Sequence, residues 1–86
     1  MALSKDEEQN LLWQLTWNLQ QRQNKLDAAE EHRVEYNYPG FEDDIARFER
    51  LAQEHDAKAS LIMSRLFAEG VSGDKINAAI TSAQNQ

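Results

Sequence analysis

A single proline–glycine pair, Pro39-Gly40, separates two long stretches that otherwise offer a helix no break between Lys5 and Ala68. Both stretches carry apolar residues at alternating spacings of three and four, the rhythm of one helical seam. The first seam is Leu12, Leu15, Leu19, Arg22, Leu26, Ala29 and Arg33, with polar interruptions at Arg22 and Arg33. The second is Phe41, Ile45, Phe48, Ala52, His55, Ala59, Ile62 and Leu66, and it is the more regular of the two. Each stretch opens as a helix should. Ser4 and Glu7 have the spacing of a capping box, and Asp6, Glu7 and Glu8, like Glu42, Asp43 and Asp44, put negative charge where the helix dipole favours it. Proline disfavours helical geometry at Tyr38, Gly40 permits a positive φ, and Gly70 supplies a C-terminal stop.

Two helices of matched length joined by one tight turn predict an antiparallel hairpin. Setting Arg22 opposite His55 brings Leu12 to Leu66, Leu15 to Ile62, Leu19 to Ala59, Leu26 to Ala52, Ala29 to Phe48 and Arg33 to Ile45. The offset is near-constant, alternating between two adjacent values, and large residues repeatedly meet small ones, as interdigitating layers require. After Gly70, either Ser72 or Gly73 can begin a short third helix with Ile76, Ala79, Ile80 and Ala83 on one face. The polar stretch from Ser82 to Gln86 is expected to fray. The expected architecture is all-α, a long antiparallel helical hairpin of coiled-coil character with a short C-terminal third helix. A single domain over 1–86 is expected, with helices at about 5–35, 42–69 and 73–83 and a turn at 36–41.

Composition narrows the function classes. With 86 residues, 41% hydrophobic and 28% charged, the chain can bury one small core. Its net charge of −6 and pI near 4.7 repel phosphate backbones, so direct nucleic-acid binding is not expected. The absence of cysteine removes disulfides, thiolate metal sites and thiol nucleophiles. Apolar runs reach three residues, as in Leu11-Leu12-Trp13, too short for a bilayer, and no secretory signal opens the sequence. A cytoplasmic protein without membrane contact is the expectation.

Chemistry-bearing constellations are sparse. The two histidines lack the Glu-x-x-His spacing of di-metal bundles, because Ala29 and Ala52 stand three residues before His32 and His55. No metal and no cofactor are expected. His55 falls on the seam opposite Arg22, a polar layer that fixes register, with Asp56 or Glu54 available to neutralise the arginine; facing a cation, this histidine is expected to favour its neutral form, and a pH switch is the functional alternative. None of the serines has a Gly-x-Ser-x-Gly context, so no catalytic residue is assigned and no enzyme is expected. The Gly70-Val71-Ser72-Gly73 turn has the glycine spacing of RNA-clamping loops, but Glu69 and Asp74 flank it where such loops need cations. Gly70-Val71-Ser72 with Ile76 resembles part of the helix-turn-helix pattern over about twenty residues. Leu66 and Glu69 depart from that pattern, and the helix that would read DNA carries one cation, Lys75.

Two surfaces suggest partners. Trp13 and Trp17, spaced i,i+4, share a stripe beside the first seam; the expectation is that Ile76 and Ile80 bury one indole and leave the other for a partner. At the opposite tip, Tyr36, Tyr38 and Phe41 gather beside Glu42, Asp43 and Asp44, an acidic aromatic end suited to a basic protein surface. The expected function is a non-enzymatic protein-binding module, an adaptor or an inhibitor acting by surface occlusion. One form would be an acidic decoy against a nucleic-acid-binding protein, by analogy of size, charge and helicity with phage-type antagonists of host defence. The alternatives are a structural helical-hairpin homo-oligomer, a homodimer in its simplest form, and a helix-turn-helix-like DNA-binding regulator.

Overall fold

The computed structural model describes residues 3–35 and 38–85. Three helices account for nearly all of them: α1 (Lys5–Glu35), α2 (Phe41–Ala68) and α3 (Gly73–Gln84). The chain is all-α. α1 and α2 form the long antiparallel hairpin, and the structure measures 52 × 22 × 17 Å.

Local chemistry sets each boundary. The Ser4 hydroxyl accepts a hydrogen bond from the Glu7 amide at 3.2 Å, satisfying one of the orphan donors that open α1. Gly40 sits at φ 90°, in the left-handed region, and hands the chain to α2 with amide bonds from Asp43 and Asp44 to its carbonyl. α2 ends in a Schellman motif: Val71 N–H reaches the Leu66 carbonyl at 3.0 Å and Gly70 N–H the Phe67 carbonyl at 3.1 Å, with Gly70 at φ 80°. Leu66 and Val71, the pair such a motif brings together, are both buried in the main core cluster. Ser72 then caps α3 by accepting from the Lys75 amide.

The second seam is read correctly from spacing. Ile45, Ala52, Ala59 and Leu66 are buried and Phe41, Phe48, His55 and Ile62 half-buried. The first seam is rotated. Leu11, Leu15, Asn18, Leu19 and Ala29 are the buried residues of α1, while Leu12 is half-buried and Leu26 is exposed. The cause is α3, which returns along α1 rather than lying across the end of the hairpin. The Thr16 hydroxyl stands 3.2 Å from the Leu12 carbonyl of its own helix and 3.0 Å from the Ala79 carbonyl of α3. Lys75 binds Glu8 at 3.0 Å, and Gln84 borders a groove shared with Asn24, so the two helices run parallel. Leu12 and Leu19 therefore serve α3 as well as α2. Leu26 lies outside the core cluster and is exposed. α3 continues past Ser82 to Gln84, with Ala83 buried against the core.

Hairpin register is pinned by polar contacts on either side of the expected level. Arg22 pairs with Asp56 at 2.6 Å, and Arg33 with Glu49 at 3.2 Å. His55 does not pair with Arg22 itself. Its Nδ1 meets the Oδ1 of Asn18, one turn earlier on α1, at 3.0 Å.

Candidate functional site

The tryptophans lie on the outer line of α1. Leu15 is fully buried and marks the inward direction. Trp13 and Trp17 stand two residues before and after it, about 200° around the helix in either sense, so they straddle the outermost line by roughly 20° each. Their rings stack with centroids 6.4 Å apart and planes 21° apart. Trp13 is 62% exposed and Trp17 40%. The expectation that Ile76 and Ile80 bury one indole is not met. Ile76 points into the cluster of Leu11, Leu15, Leu19 and Leu66, with Ile80 packed against that cluster. α3 reaches only the flank of Trp13, across a shallow groove bordered by Ala78, Ala79 and Ser82.

On the other flank Trp17 meets α2. Its ring lies edge to face with His55, centroids 5.5 Å apart and planes 78° apart. Asn18, the one buried polar residue found among the described ones, orients this histidine: its Nδ2 donates to the Gln14 carbonyl at 2.8 Å, which leaves Oδ1 to accept from His55 Nδ1–H. Nε2 then carries the lone pair of the neutral ring. Partial burial lowers the pKa of His55 below the ordinary value, Lys58 and Lys25 lower it further, and Glu54 opposes them. The neutral form is favoured as expected, but by burial and two lysines rather than by Arg22, whose charge is spent on Asp56.

The tip forms a second, separate surface. The Tyr38 hydroxyl donates to Asp44, whose carboxylate also pairs with Arg47 at 3.7 Å. Tyr38 packs against Phe41 and His32, and His32 against Phe48. Asp44 is thus engaged within the chain, while Glu42 and Asp43 remain exposed. Tyr36 lies outside the described residues. Between Trp17 and the end of α1 the helix rises by roughly 27 Å, so the expected partner-binding residues divide into two groups: Trp13 with Trp17, and Tyr38 with Glu42, Asp43 and Asp44. In the helix-turn-helix comparison, the single cation of α3, Lys75, is tied to Glu8, and α3 packs mainly on α1.

One feature of the tryptophan face lies outside both seams. From Gln9 to Gln21 the chain carries no charged residue, although charged residues make up 28% of the whole. The outer line here consists of indoles and amides. Comparison of the chain with family models, curated proteins and solved structures finds no match.

Proposed function

We propose that this chain is a non-enzymatic protein-binding module, an adaptor or inhibitor that works by occupying a surface. The observation that carries the reading is the stacked, exposed Trp13–Trp17 pair. Two indoles held on a rigid helix cost little side-chain entropy to bury, and tryptophan is enriched where binding energy concentrates. The exposed carboxylates Glu42 and Asp43 at the far tip favour a partner with a basic surface, and support the narrower form of an acidic decoy for a protein that ordinarily holds nucleic acid. A structural homo-oligomer is the second reading, favoured by the charge-free outer line of α1.

Capture experiments with the full chain test the proposal. Trp13→Gln with Trp17→Gln is expected to lose a protein partner that the wild type retains, while remaining helical by circular dichroism. Glu42→Gln with Asp43→Asn is expected to slow association of a basic partner at low salt and to matter less at high salt. Equal retention by the wild type and the tryptophan variant contradicts the module as described.

A further inference from the structure

The tryptophan face has a pattern beyond its exposure. Around Leu15 the outer residues of α1 read Asp6, Gln9, Asn10 and Trp13 on one side and Trp17, Gln20, Gln21 and Asn24 on the other. Each position has a counterpart at an equal distance on the far side of Leu15: tryptophan with tryptophan, amide with amide, and Asp6 with an amide. A two-fold axis perpendicular to α1 at the level of Leu15 would superpose one half of the stripe on the other. Apart from Asp6, like therefore stands opposite like, so in an antiparallel two-fold contact, where residue i meets j and j meets i, indole would meet indole and amide would meet amide.

We infer that the occupant of this face is a second copy of the chain, with the two α1 helices packed antiparallel about that axis. The inference rests on the reading of the tryptophan face as a protein-docking surface and names what docks there. In this arrangement Trp13 of one copy meets Trp17 of the other, extending the stacked pair into a four-ring cluster. Gln9 faces Gln21 of the second copy and Asn10 faces Gln20. Each side-chain amide offers donors and an acceptor, so identical surfaces can satisfy one another. Asp6 faces Asn24, whose amide can donate to the carboxylate.

The charge distribution is compatible with this partner. Two copies that each carry −6 repel, and they approach at least cost where neither presents like charge to the other. The stretch Gln9 to Gln21 is such a region. A partner of opposite charge would gain from cations or carboxylates beside the indoles, and the outer line offers neither there. The nearest charged groups lie off to the flanks, with Glu8 paired to Lys75 on the α3 side and Lys25 and Lys58 beside His55 on the α2 side. A contact over about four helical turns is at the low end of stable interfaces, so weak association is expected.

The test measures the mass of the full chain by sedimentation equilibrium across a concentration series from about 1 to 500 μM. The wild type is expected to rise from 9.9 kDa towards twice that mass. Asn10→Glu with Gln20→Glu sets carboxylate against carboxylate at two symmetric places and is expected to weaken association at least tenfold. Asn10 is exposed and Gln20 half-buried, and glutamate is a good helix former at both, so circular dichroism should be unaltered. Asn10→Lys with Gln20→Glu sets opposite charges across the same contacts, and is expected to restore association at low salt and lose the gain at high salt. A wild type that stays monomeric throughout overturns the second copy as occupant. So does a dimer indifferent to both double variants, which must use another surface. Either failure is distinct from failure of the module itself, which is read from whether Trp13→Gln with Trp17→Gln loses a captured partner.

Discussion

His55 gives up its proton more readily than an exposed histidine because charging it would bring a cation into a half-buried site already faced by Lys58 and Lys25, with Glu54 opposing. The sign of the stability effect follows. As pH falls below 6.5, the ordinary value, unfolded chains take up a proton on this residue before folded ones do. The contribution is therefore complete above that pH and is lost as pH falls through the lower folded value. Urea unfolding between about pH 7.5 and 5 is expected to show stability falling towards the acid end, with a shallower fall in His55→Gln. Asn18 is the partner that makes the neutral ring fit. Asn18→Ala leaves His55 Nδ1–H without its acceptor and is expected to cost about 1–3 kcal/mol at neutral pH. The surface ion pairs matter less: Arg22–Asp56 is short, but its side chains are 37% and 53% exposed, and removing it is expected to cost at most about 1 kcal/mol.

Among the elements, α2 was fully legible in sequence and α1 only in part, for a physical reason. α2 packs chiefly on one neighbour, so its buried face is a single seam and strict spacing finds it. α1 packs on two neighbours. Its buried arc is wider, and a seven-residue rhythm chosen to meet α2 alone admits Leu26, which is exposed, and passes over Leu11 and Asn18. The turn glycines separate by backbone rather than by space. Nothing lies within 4 Å of a Cβ built on Gly70 or Gly73, but Gly70 holds φ at 80° while Gly73 opens α3 at an ordinary angle. Gly70→Ala is expected to destabilise by about 1–2 kcal/mol through left-handed strain. Gly73→Ala is expected to be neutral or to stabilise by up to about 1 kcal/mol, since alanine narrows the unfolded ensemble. Ala59 is 1% exposed within the cluster of Leu15, Leu19 and Leu66. Ala59→Leu should overpack that layer and cost about 1–3 kcal/mol by thermal or chemical unfolding.

The whole molecule is a rod with two unlike surfaces, a neutral aromatic one low on α1 and an acidic one at the turn. Sequence spacing placed both tryptophans on one stripe, but not their exposure. That depends on which line of α1 the third helix follows, and Thr16, whose bond to the Ala79 carbonyl holds α3 on the inner flank, gives no such signal by its type alone. The acidic tip was legible as composition; the engagement of Asp44 by Tyr38 and Arg47 was not, because it arises from the turn's closure. In an antiparallel pairing through α1, the two acidic tips would project from opposite ends, so one dimer could engage two basic partners. The chain's two tryptophans are both on the face in question, which makes their fluorescence a direct report on it. The decisive measurement is quenching of that fluorescence by acrylamide as the chain is concentrated. The indoles should be freely quenched in dilute solution and become protected, with a blue-shifted emission, as a protein surface closes over them. Weak quenching of a chain that sedimentation shows to be monomeric would make Trp13 and Trp17 core residues, and strong quenching unchanged at every concentration would leave this face without the second copy assigned to it.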